Sequence, residues 1–126
     1  MIEKQHPDAL FVYPDVVLSS YPRPQQLAEF ALKARLPMIN AFRFFADAGG
    51  LMTYGATAPE IYETAAERVA KILGGVRPSE LPLRQATRFE LVINNWTANK
   101  LGLTIPSSLL TRADEVIESP PPFAKH

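Results

Sequence analysis

The sequence contains no cysteine, which rules out disulfides, thiolate zinc sites and thiol nucleophiles and leaves the redox compartment open. Histidine is almost as scarce. The two, His6 and His126, lie near the chain ends, so a nucleophile–base pair or an imidazole metal site would need the termini to fold into it. Neither sign of charge is in excess, since 13 Lys and Arg balance 13 Asp and Glu and no stretch gathers cations. Nothing therefore draws the chain to a phosphate backbone or an anionic membrane, and nucleic acid is not an expected partner. No apolar run reaches the roughly 18 residues of a membrane span. Met1 to Pro7 lacks the apolar core of an export signal, so the chain as written is expected to carry no signal peptide or anchor. Phosphate-cradling motifs are also missing: Gly49-Gly50 and Gly74-Gly75 stand without the accompanying lysine and hydroxyl. The acids Asp8 with Asp15, and Asp114 with Glu115 and Glu118, do not have calcium-loop spacing. No metal and no cofactor is expected.

What is present is an ordinary globular composition, with 47% hydrophobic and 21% charged residues in 126. That is far from the polar, highly charged regime of disorder and is enough for one folded domain. Ala9-Leu10-Phe11-Val12-Tyr13 reads as a buried strand closed by Pro14-Asp15. From Pro24 a helical period begins, with Leu27, Phe30, Ala31 and Ala34 on one face, and it should stop at Arg35-Leu36 before Pro37. Pro37 to Ala41 is a second strand, so the opening third has the order of a βαβ unit with a right-handed crossover. Phe42 to Ala48 forms a helical turn, Gly49-Gly50 reverses the chain, and Leu51 to Tyr54 is a third strand.

The strongest helical signal runs from Thr57 to Leu73. Thr57-Ala58-Pro59-Glu60 has the spacing of a capping box, Ile61, Ala65, Val69 and Ile72 should turn inward, and Gly74-Gly75 provides the stop. Arg77 to Arg88, with Pro78 and Pro82, is an extended connector. Phe89 to Ile93 is a fourth strand, and Asn94 caps a short helix that ends at Gly102. A turn of helix at Pro106 to Arg112, an edge strand at Ala113 to Glu118 and a frayed tail over 119–126 complete the reading. The expected class is α/β, with mostly parallel strands and flanking helices.

Four residues are candidates for a ligand site because they sit near strand ends, where open parallel sheets hold their ligands. Asp15 follows the first strand, where its carboxylate can take a ligand ammonium or simply make the Pro-Asp turn. Phe42 and Arg43 follow the second, offering an aromatic wall and a bidentate carboxylate clamp; the alternative is a core ring and a surface arginine. Tyr54 closes the third strand, as a pocket wall or as an ordinary half-buried tyrosine.

Ala9 to Asp15, Leu36 to Ile39, Ala48-Gly49-Gly50-Leu51-Met52-Thr53-Tyr54-Gly55, Phe89 to Asn94 and Leu101-Gly102-Leu103-Thr104-Ile105-Pro106 occur in the order of landmarks in a known family. Together they resemble the ABC-transporter substrate-binding proteins that include tryptophan- and tyrosine-binding members. The resemblance runs from about Pro7 to Glu118.

It implies a partial type I periplasmic-binding-protein fold, residues 1–118 being the C-terminal portion of a two-lobed protein that holds a small solute between its lobes for an ABC permease. A periplasmic or extracytoplasmic setting is implied for such a protein. On this layout Asp15 and Phe42-Arg43 belong to one lobe, Gly50 to Tyr54 returns to the other, and Phe89 to Asn94 approaches the hinge. Relatives that bind aromatic amino acids tend to read Thr-Asp-Asn where this chain has Pro14-Asp15-Val16, so the acid matches and its neighbours do not. A partial protein is expected to leave apolar faces uncovered and to associate, a homodimer being the simplest closed form. The alternatives are a ligand-sensing domain of an intracellular regulator, for which an upstream DNA-binding segment is the missing sign, and a small α/β enzyme, for which no acid–base pair is identifiable.

Overall fold

Residues 7–125 are described by the computed structural model, so His6 and His126 lie outside the described residues. The elements in chain order are β1 (Leu10–Phe11), α1 (Val16–Ser19), α2 (Arg23–Lys33), β2 (Met38–Asn40), α3 (Phe44–Asp47), β3 (Met52–Ala56), α4 (Ala58–Leu73), β4 (Phe89–Asn94), α5 (Asn95–Leu101), α6 (Ser107–Leu110) and β5 (Glu115–Ile117). Short 3₁₀ segments occur at Pro78–Glu80 and Pro122–Lys125. The strands form one sheet in the order β1-β2-β3-β4-β5. Leu10 stands opposite Met38, Ile39 opposite Met52, and Ile93 opposite Val116, all in parallel pairs. Between β3 and β4 the direction reverses: Asn94 N, at the end of β4, donates to Leu51 O at the entrance to β3, 2.8 Å away. This is the α/β class with a mostly parallel sheet that the sequence predicts.

The chain divides into two compact units, one containing the residues up to Gly55 and those from Glu90 onward, the other Ala56–Phe89. The family layout placed Gly50 to Tyr54 in a second lobe, and the structure corrects this. Asn40 lies opposite Thr53, so β3 is a neighbour of β2 within the first unit, and the unit boundary falls after Gly55.

The core of the first unit is Val12, Ala28, Ala31, Met38, Phe45 and Ala48. α2 buries Pro24, Ala28 and Ala31, with Leu27 packed alongside. The buried stripe is thus rotated from the expected Leu27, Phe30, Ala31 and Ala34, because two alanines let the helix approach the core more closely than bulky side chains would. α2 ends with Arg35 in the left-handed region, at φ 57°, and Leu36 N reaching back to Ala31 O at 2.8 Å. This is the wrap-back of a helix C-terminus with arginine in the position glycine usually takes. The first strand is not buried as expected. It is an edge strand in which Phe11 is 65% and Tyr13 75% exposed, and Val12 alone of that run is buried. In the segment expected to fray, Pro121 is buried and Phe123 packs on the core, its ring over the Cα of Gly49.

Two fully buried carboxamides tie the strand ends to the helices. Asn40 Nδ2 donates to Val12 O at 2.6 Å while its Oδ1 accepts from Phe42 N at 2.7 Å. Asn94 Nδ2 donates to Ala46 O at 2.9 Å, and its Oδ1 caps α5 by accepting from Thr97 N at 2.9 Å. Thr97 Oγ1 adds a bond to Gly49 O at 3.0 Å. The predicted cap and the glycine stop of α5 are both present, Gly102 adopting φ 73°.

The second unit is α4 and its connector. The helix spans the expected residues and stops at Gly74, with Gly75 at φ 98°, but two expectations fail. Thr57 stands at the N-cap without a side-chain bond, and Glu60 turns to the connector instead of closing a capping box. Its Oε1 accepts from Thr87 N at 2.9 Å and Thr87 Oγ1 at 2.7 Å, and its Oε2 from Arg88 N at 2.9 Å. Three donors outside the helix outweigh the single backward bond of a capping box. The apolar stripe is not turned inward either: no residue of α4 is buried, and Ile61, Val69 and Ile72 are 46%, 55% and 40% exposed. Ala56–Phe89 holds this helix, the 3₁₀ turn at Pro78–Glu80 and an otherwise extended connector, so its unit offers no sheet to cover that face.

Asn94→Ala is expected to destabilise the first unit by about 2–4 kcal/mol, since it removes a cap and leaves the Ala46 carbonyl without its donor. Asn94→Ser, which keeps a capping oxygen, should lose roughly half as much by urea denaturation.

The hydrogen bonds from Thr87 hold the Glu60 carboxyl at about 2, below its ordinary value of 4.5. Its contribution to tethering the connector is therefore complete above pH 4.5 and is lost as pH falls towards 2. An NMR titration should show the Thr87 and Arg88 amides shifting only as pH falls to about 2, and Glu60→Gln should abolish the shift.

Candidate functional site

The carboxyl ends of β1, β2 and β3 are adjacent along one sheet edge, and β4 and β5, running the other way, begin there. Neighbouring strands are about 4.8 Å apart, so residues after the first three strands and at the starts of the last two form a row.

Asp15 is exposed at the N-cap of α1, with Oδ1 accepting from Val17 N at 2.8 Å and Leu18 N at 3.1 Å. The turn role is thus realised, and both amide bonds fall on one oxygen, Oδ1. Phe42 is half-buried, packs against the core and stacks on Phe44 with centroids 5.4 Å apart. Tyr54 lies within β3 and is 60% exposed.

Arg43 is drawn into a network that sequence reasoning missed. Its Nη1 is 2.9 Å from Glu90 Oε1, its Nη2 2.6 Å from Glu115 Oε2, and its Nε 3.7 Å from Asp47 Oδ2. Glu90 stands near the start of β4 and Glu115 opens β5, so one guanidinium joins the turn after β2 to two other strands. The hydrogen bond with Glu115 does most to raise the Arg43 pKa above its ordinary value, with Glu90 and Asp47 adding to it. Burial pushes the Asp47 carboxyl above its ordinary range, against the opposing pull of Arg43. Three carboxylates share one cation, which leaves the cluster net negative. A ligand carboxylate reaching Arg43 has to displace a glutamate. The available sign was an acid near the start of each of the last two strands, at the edge where the first three end.

Gly55 is needed at this edge, because a Cβ built there would lie 2.1 Å from Ala41 O. The backbone of β3 thus runs directly against the turn after β2, and no side chain fits between them. Among the described residues no His, Cys, Asp or Glu side chains gather in a group of three able to hold a metal ion. No helix among them is long and apolar enough to cross a membrane. Asp15 thus stands in the turn after β1 and Arg43 in the turn after β2, Tyr54 lies inside β3, and Phe42 packs on the core.

The family model described as ABC transporter substrate binding protein matches residues 2–117. The chain belongs to that family. A conserved domain protein from Vibrio cholerae O1 biovar El Tor is similar in structure, with 29% identity and a TM-score of 0.82 over 91% of this chain and 38% of the other. An ABC domain from Streptococcus pneumoniae, in complex with L-Trp, is similar with 23% identity and a TM-score of 0.82 over 92% of this chain and 39% of its own. A ligand-free, open substrate-binding protein with adhesive properties from Clostridium difficile shows 22% identity and a TM-score of 0.58 over 88% and 36%. The chain thus spans less than two fifths of the length of each of these structures. No curated protein matches it. The family membership agrees with the resemblance read from the glycine-rich and strand-end segments.

Arg43→Met is expected to change folding stability by no more than about 1 kcal/mol, because all the ion pairs involved are partly exposed. Its clearer effect should be on Asp47, whose carboxyl, already raised by burial, loses the opposing pull of Arg43 and should titrate at higher pH in a carboxyl-carbon NMR experiment.

Proposed function

We propose that this chain contributes one wall of a binding site for a small organic solute, an amino acid or a related compound, in the solute-binding component of an ABC importer. The reading rests above all on the turns that carry Asp15 and Arg43 beyond the first two parallel strands, in a chain of this family. Exposed charge at the carboxyl ends of parallel strands suits a ligand whose own charges are complementary. In this reading Asp15 meets a solute ammonium, and Arg43 exchanges a glutamate for the solute carboxylate. Tyr54 supplies an apolar wall with a polar tip, and Phe42 braces the turn from below. Binding then proceeds by enclosure of the solute, without a bond-making step, and delivery to a membrane permease places the working protein outside the cytoplasm. The L-Trp held by the streptococcal neighbour makes aromatic amino acids the first compounds to try. The Pro14-Val16 flanks of Asp15, unlike the polar ones expected of aromatic amino-acid binders, make the panel necessarily wider.

The test separates the two roles of Asp15. Asparagine caps a helix as well as aspartate does, so Asp15→Asn keeps α1 and removes the charge. In calorimetric titrations of the complete two-lobed protein with a panel of amino acids and related amines, Asp15→Asn should weaken solute binding by about 10–100-fold, the loss of one charge-assisted hydrogen bond. The urea midpoint should stay where it was. An unchanged affinity with the fold intact removes Asp15 from the site, and failure to bind any member of the panel refutes the solute class.

A further inference from the structure

A groove of about 340 Å³ opens in the first unit among the end of α1, the start of α2, α3 and the C-terminal tail. Asp15, Arg43 and Tyr54 do not line it, so it is distinct from the strand-end row. Its volume falls at the small end of the range for ligand pockets, roughly 300–1,000 Å³. Tyr21, Pro24, Phe44 and Pro122 make its surface largely apolar, and Tyr21 and Phe44 are exposed, at 81% and 42%. Its polar groups are few: Gln25, the Asp47 carboxylate and Ser19, whose Oγ is buried without a hydrogen-bond partner.

The charges around this groove select the sign of an occupant. Asp47 is a groove residue, and the cluster behind it holds Glu90 and Glu115 against the single cation Arg43. An anion would meet net negative charge. A neutral apolar molecule would cover Asp47 and strip water from it without returning a partner, which costs free energy. A cation with a flat apolar body satisfies both demands, since its charge pairs with the carboxylate and its body lies on aromatic faces that attract cations as well.

We infer that this groove is a binding site for a small arylalkylammonium ion, with Asp47 as its counter-ion and Tyr21 and Phe44 as its aromatic walls. The inference does not depend on the solute site at the strand ends.

Phenethylammonium is the probe, with phenylacetate and 2-phenylethanol as its anionic and neutral counterparts, followed by amide-shift NMR titration of the whole chain. Saturable shifts are expected at Ser19, Tyr21, Gln25 and the amides from Phe44 to Ala48. Affinity should be lower by at least about tenfold for each counterpart and for the cation with Asp47→Asn. Gln25→Lys, which leaves Asp47 in place but adds a positive charge at the groove wall, should weaken the cation similarly, and it decides the matter if Asp47→Asn perturbs folding. Shifts scattered over the chain, equal affinity for cation and alcohol, or undiminished cation binding in a folded Asp47→Asn or Gln25→Lys protein would overturn the assignment.

Discussion

Asn40 and Asn94 have their carboxamides completely buried, and each is bonded through both its oxygen and its nitrogen to a different stretch of backbone. Strands this short hold few ladder bonds, β1 having only two residues and β2 three. The carboxamides supply what the ladders lack. Asn40 closes the end of β1 onto the turn after β2, and Asn94 fixes α3 and α5 to the end of β4. A buried amide that lost one partner would carry the desolvation cost of that group, so each pairing holds its neighbours in one arrangement. The turns bearing Asp15, Phe42 and Arg43 depend on this, because they start from strands joined in this way.

Arg43 shows how position and electrostatics divide the same residue between two duties. Its place after β2 suits a ligand clamp, yet Glu90 and Glu115 already occupy the fork. Partial exposure keeps these pairs exchangeable, since each is worth little in water. The excess of carboxylates also gives the neighbouring groove its sign, so a single cluster bears on both the proposed solute wall and the proposed amine site.

α4 presents the opposite situation. Its period, its proline in the first turn and its glycine stop made the helix legible, and the helix is there. The same period promised a buried face, and that face is exposed because its unit holds no sheet to cover it. A hydrophobic stripe states which side of a helix is apolar; whether that side is covered depends on what else the unit contains.

Much of the fold was readable because it rests on local chemistry. The α5 cap at Asn94, the left-handed Gly102, the strand order of the opening third and the positions of Asp15 and Arg43 after their strands all follow from residues within a few places of one another. The family landmarks were legible for the same reason, as runs of adjacent residues. What only the tertiary structure decided involves partners far apart in the chain. These are Glu90 and Glu115 on Arg43, separated from it by 47 and 72 positions, Glu60 drawn from its own helix to Thr87, and Phe123 folded onto Gly49. A side chain's local neighbours are set by the bond geometry of the backbone, whereas its distant partners exist only once the sheet has set its strand order. The sequence by itself therefore determined most of the elements, and the packed sheet determined which charges share the ends of its strands.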